Sequence, residues 1–81
     1  MSWKIENNRL CRDFDFKTQT DLANFLVLVA KKADAVNHHP DATISKCSHL
    51  RLDLFTHTAN KIMDLDRELA QSISDIYNDL V

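Results

Sequence analysis

Two stretches near the N-terminus alternate with a period of two. Leu10, Arg12, Phe14 and Phe16 share one parity and Cys11, Asp13 and Asp15 share the other. Trp3–Glu6 and Arg9–Phe16 therefore read as two strands, and Asn7-Asn8 between them as a two-residue hairpin turn. The period then changes. Leu22, Phe25, Leu26, Val29, Ala33 and Val36 recur at spacings of three and four, the buried stripe of an amphipathic helix. Thr18-Gln19-Thr20-Asp21 resembles a capping box at its start. Pro40 disfavours helical geometry at His39, so the helix ends near Val36 or Asn37. Val27 and Leu28 widen the stripe, consistent with a broad contact on a sheet or with a subunit interface.

Ala42–Lys46 and His49–Thr56 form a second strand pair. In the latter, Leu50, Leu52 and Leu54 face one way and Arg51, Asp53, Phe55 and His57 the other. A final helix spans Asp64–Leu80, with Leu65, Leu69, Ile73, Ile76 and Leu80 as its apolar stripe and Asp64 as the expected N-cap. The order ββαββα predicts an α+β domain over residues 1–81: a four-stranded antiparallel sheet covered on one face by two helices.

Composition narrows the function classes. The chain has 81 residues and a net charge of −2, with Lys and Arg scattered, so no basic face for nucleic acid is expected. A domain this small buries only about 60–65% of its unfolded surface, which makes oligomerisation a reasonable expectation. The first eight residues carry no apolar signal segment, and the apolar run Phe25–Ala30 is too short to span a bilayer. Cys11 and Cys47 are too sparse for a disulfide scaffold, so a cytoplasmic protein with reduced thiols is expected. Glycine is absent, so turns needing positive φ fall to asparagine, with Asn7, Asn8, Asn37 and Asn60 the candidates.

The chemistry concentrates in Asn37-His38-His39-Pro40 and in His57. Three imidazoles could bind zinc, but adjacent His38-His39 lack the i, i+4 spacing of helical zinc motifs, so no metal is expected. Cys47 with His57 lacks an orienting third group for nucleophilic catalysis. Metal-free general acid–base chemistry fits, because imidazole titrates near neutrality. The residues fit equally well a blander arrangement, with His38 capping the helix, His39 solvated and His57 on an exposed strand. His49 has no evident partner and is expected to be a solvated surface residue.

Resemblance weighs on that choice. Asp34-x3-His38-His39-Pro40, six residues, Cys47, nine residues, His57, eight residues and Asp66 resemble the signature of pterin-4a-carbinolamine dehydratases. Phe14-x-Phe16, Phe25, Val29-Ala30, Thr56-His57 and Asp66-x3-Ala70 fit the same family, in its short form. The resemblance implies the fold derived above and a homodimer or homotetramer. It implies removal of water from 4a-hydroxytetrahydropterin to give quinonoid dihydropterin, with no metal or cofactor. It also implies His38, His39 and His57 as catalytic residues, with Asp34, Pro40, Thr56, Thr58, Ala59 and Asp66 lining the pterin site. Of the three histidines, His57 is assigned the acid and His38 the base.

Three places depart from the family pattern. Cys47 stands where an aromatic residue is expected, and Ala42 where tryptophan is frequent. Lys61-Ile62-Met63 replaces the usual Gly-Leu-Thr or Gly-Leu-Ser before the last helix, removing a glycine and a hydroxyl N-cap. These changes keep open a second implication of the resemblance. Non-catalytic relatives of this fold act by oligomerisation, one as a dimerisation cofactor of a transcription factor and one as a Rubisco assembly factor.

Overall fold

A computed structural model describes residues 3–80. The elements follow the expected order: β1 (Lys4–Glu6), β2 (Arg9–Asp15), α1 (Gln19–Val36), β3 (Asp41–Ser45), β4 (His49–Leu54) and α2 (Asp64–Leu80). All strand pairs are antiparallel and the sheet order is β1-β2-β4-β3. The two hairpins therefore join through a central β2–β4 pairing, from Leu10 opposite Leu54 to Asp15 opposite His49.

Register sorts the side chains onto two faces. Leu10, Arg12 and Phe14 of β2 lie opposite Leu54, Leu52 and Leu50 of β4 and are buried. Leu22, Phe25, Val29 and Ala33 of α1 and Leu69, Ala70 and Ile73 of α2 complete that core. Burying each large side chain here contributes about 1.5–3 kcal/mol. The stripe of α2 is rotated from the sequence expectation. Leu65 and Leu80 are 41% and 50% exposed, whereas Asp66 and Ala70 are buried. Arg12 sits on the core parity because its guanidinium lies over the rings of Phe14 and Tyr77, at 4.6 and 5.2 Å, and donates to Ser74 Oγ at 3.0 Å.

The other face of the sheet is a charged lattice. Arg51 pairs with Glu6 and Asp53 at 2.9 and 3.2 Å, and Arg9 with Asp41 at 2.9 Å. Cys11 lies beneath this lattice at 3% exposure; burial, then the nearby Asp53 carboxylate, pushes its thiol above the ordinary value. His49 is not simply solvated as expected: Nδ1 meets Asp15 at 2.8 Å and Nε2 meets Asp13 at 3.3 Å. The pairing arises because β2 and β4 place these residues side by side. The hydrogen bond to Asp15 is the main reason that the His49 pKa rises above 6.5. A histidine with a raised folded pKa stabilises below its unfolded value and loses that contribution as pH climbs through the folded one. Melting temperatures measured from pH 5 to 9 should therefore fall on the alkaline side, and His49→Gln should flatten that fall.

Turns obey the glycine-free rule only in part. Asn7, Asn8, Asn37 and Asn60 all take positive φ, as expected, but so do Lys46 and Cys47, at 52° and 57°. These two open the three-residue connection between β3 and β4, where register imposes a left-handed path on residues that resist it. Replacing them together as Lys46→Asn and Cys47→Gly should raise stability by about 1 kcal/mol, read as a higher urea midpoint.

Apolar surface remains where α1 meets the open edge of the sheet. Val27 is 51% and Ile44 47% exposed, and all five residues of edge strand β3 are exposed. Among the described residues no helix is long and apolar enough to cross a membrane.

Candidate active site

Helix α1 ends in a hydrogen-bonded cap that aims the first histidine. Asn37 adopts φ 55° and ψ 42°, and its N–H meets the carbonyls of Ala33 and Asp34. The next N–H, of His38, bonds to Ala33 O at 3.1 Å. This is a Schellman closure with asparagine in the place glycine usually takes. Pro40 prevents the helix from continuing.

The His38 side chain is 13% exposed, and its Nε2 meets Asp66 Oδ1 at 2.5 Å. Asp66 is wholly buried. Its second oxygen, Oδ2, accepts the Thr56 hydroxyl at 2.6 Å and the Met63 N–H at 2.9 Å. One carboxylate thus ties together the end of α1, the chain just after β4 and the start of α2. Burial alone would push the Asp66 carboxyl up. The Thr56 hydroxyl, the His38 ring and the Met63 amide overcome it and hold the group below its ordinary value of 3.8. This contribution to stability is present above the unfolded pKa and is lost as pH falls through the lowered folded one.

The Met63 contact also corrects the expected N-cap of α2. Asp64 is the first helical residue, so the cap is Met63, and Asp66 three positions on reaches back to the Met63 N–H. That is half of a capping box. Methionine has no oxygen to supply the other half, and so a carboxylate in the third helical position takes over the closure.

His39 is half exposed, with Nε2 2.7 Å from Asp34 Oδ1. His57 is exposed and packs edge-on against Phe55, ring centroids 5.3 Å apart and planes at 78°. Beyond it the chain closes tightly. Thr56 and Lys61 exchange backbone hydrogen bonds of 3.1 and 3.4 Å, and Asn60 takes the left-handed turn position at φ 55°. The loop therefore closes with lysine at position 61, because the adjacent asparagine supplies the positive φ.

These segments border a cleft of about 400 Å³ lined by Asn37, His38, His39, Pro40, Asp41, Phe55, Thr56, His57 and Thr58. The volume suits a small heterocyclic ligand. Of the residues expected from the sequence, His38, His39, His57, Pro40, Thr56 and Thr58 line it. Asp34 and Asp66 stand behind His39 and His38, and Ala59 lies in the following turn, bonded through its N–H to Thr56 O. Asn37, from the same four-residue stretch, and Asp41 and Phe55, each next to an expected residue, complete the lining. Two other clefts of about 500 Å³ contain neither histidine nor cysteine, so chemistry rather than volume selects the site. Among the described residues, no group of three or more His, Cys, Asp or Glu is placed to hold a metal ion.

The family model for pterin 4 alpha carbinolamine dehydratase matches residues 1–76. A protein of Sulfurisphaera tokodaii, provisionally named pterin-4-alpha-carbinolamine dehydratase, is 38% identical over 74 residues, covering 91% of this chain and 78% of its own. One of Metallosphaera sedula with the same provisional name is 32% identical, over 93% and 77%. Among solved structures, a transcriptional coactivator/pterin dehydratase from Brucella melitensis superposes with a TM-score of 0.86 at 25% identity, covering 93% of this chain and 81% of its own. A pterin dehydratase-like protein identified as a RuBisCO assembly factor in the alpha-carboxysome shares the fold, with a TM-score of 0.79 at 18% identity over 94% and 89%. The chain belongs to the pterin 4 alpha carbinolamine dehydratase family.

Proposed function

We propose that this protein dehydrates 4a-hydroxytetrahydropterin to quinonoid dihydropterin by histidine general acid–base catalysis, with no metal or cofactor. One observation carries the reading: three imidazoles border a single cleft, and one of them is bonded to a buried carboxylate. The reaction needs a proton delivered to the departing C4a hydroxyl and a proton taken from N5. With Asp66 ionised, the bond between them requires the proton on His38 Nε2. Neutral His38 then keeps a lone pair on Nδ1, which makes it the base. His57, which no carboxylate holds among the described residues, is the acid.

His39 is the third catalytic histidine, with Asp34 orienting it. Pro40, Thr56, Thr58 and Ala59 are assigned to the pterin's surroundings. Asp34 and Asp66, grouped by sequence with the substrate-binding residues, are assigned action through His39 and His38.

The working form is a cytoplasmic homodimer or homotetramer. Exposed Val27 of α1 and Ile44 of edge strand β3 support association. The same apolar surface favours a second reading, a non-catalytic member that acts by assembly. An assay of carbinolamine dehydration separates the two. The purified protein should exceed the buffer rate, and a rate equal to buffer overturns the enzyme reading in favour of the second.

A further inference from the structure

Each histidine at the cleft has a different support. His38 has buried Asp66 and His39 has exposed Asp34. Among the described residues His57 has only the ring of Phe55, met edge-on at 5.3 Å. That ring is itself held. The Arg9 guanidinium carbon lies 4.9 Å from the Phe55 centroid, and Arg9 Nη1 donates to Asp41 Oδ2 at 2.9 Å. Arg9 opens β2, Asp41 opens β3 and Phe55 follows β4, the strand between them. The arginine therefore reaches across the end of β4 and straps the segment bearing His39 and Pro40 to the segment bearing His57.

We propose that Phe55, held beneath an Arg9 that Asp41 anchors, is the positioning residue for His57. The proposal rests on the assignment of His57 to proton transfer. An exposed imidazole on a loop otherwise samples several rotamers, and few of them reach a bound substrate. An edge-to-face aromatic contact favours one orientation by roughly two- to tenfold. Arg9 adds attraction to the ring face, and its bond to Asp41 fixes where the guanidinium sits. An exposed ion pair of this kind adds little by itself, so its part is geometric.

The size of the contact sets the expected effect. Phe55→Leu keeps apolar bulk but removes the ring, and should lower kcat roughly two- to tenfold with KM changed less than about twofold. In proton NMR the His57 Cε1–H signal, assigned by its loss in His57→Ala, should leave its ring-current-shifted position in Phe55→Leu. Phe55→Tyr should restore both kcat and the signal, and Arg9→Gln should move both in the same direction by less. An unmoved His57 signal in Phe55→Leu overturns the proposal whatever the activity. So does a moved signal with wild-type kcat, or a change confined to KM, which would make Phe55 a substrate contact. If the wild type shows no dehydration, the enzyme reading fails, while the His57 signal in Arg9→Gln, which keeps the ring, still decides whether the held ring places His57.

Discussion

Asp66→Asn should leave the protein folded and lower kcat by about 10²- to 10⁴-fold, the range for loss of a positioned general base. The argument turns on which oxygen does what. Thr56 and Met63 both donate to Oδ2, while His38 meets Oδ1. An asparagine with its carbonyl at the Oδ2 position keeps the first two bonds. Its amide then occupies the Oδ1 position and donates to His38, which forces the imidazole proton from Nε2 onto Nδ1. The lone pair needed for catalysis is then turned toward residue 66. The lost charge weakens three hydrogen bonds, for a stability cost of about 1–2 kcal/mol. That is tolerable in a domain with roughly 4–12 kcal/mol in total. Steady-state kinetics and a urea titration of the same sample check both halves. Full turnover in the asparagine variant would mean that the tautomer of His38 is immaterial. Asp66→Ala is a different experiment, since it strands three donors and should cost about 3–5 kcal/mol.

His38→Ala and His57→Ala should each lower kcat by about 10²- to 10⁴-fold, but they should differ in every other respect. Stability separates them. His38 is mostly buried and bonded to Asp66, so its removal should cost about 1–3 kcal/mol. His57 is exposed and its removal should stay within about 0.5 kcal/mol. Equal stability losses in the two variants would contradict this difference in their surroundings.

Where the sequence was informative, the reason is local. Asn7, Asn8, Asn37 and Asn60 were identifiable as left-handed positions because a chain without glycine has few other residues that tolerate positive φ. Strand parity in Leu50-Leu52-Leu54 and the stripe Leu22-Phe25-Val29 translate directly into burial. The histidines were legible as a set only through their spacing to His57 and Asp66, since local reading left a solvated turn equally open.

What was illegible depends on distant partners. Lys46 and Cys47 carry no turn signal, and their conformation follows from the β3–β4 register. Asp66 belongs to the spacing pattern, but its burial does not show there, because it depends on His38, 28 positions away. The same contact rotates α2, so that Asp66 and Ala70 face inward and Leu65 does not. Arg9 and Phe55 are 46 positions apart and meet only because β2 and β4 are neighbours.

The strand order also has a kinetic consequence. Both hairpins close over two or three residues and can form within microseconds. The β2–β4 pairing joins residues at least 34 positions apart and must wait for a long loop to close. Arg9 lies on the N-terminal side of that seam, and Phe55 and His57 on the C-terminal side. The strap on His57 therefore has no hairpin precursor: either half of the chain can be structured while it is still absent. A refolding experiment should recover strand signal first and the ring-shifted His57 resonance last.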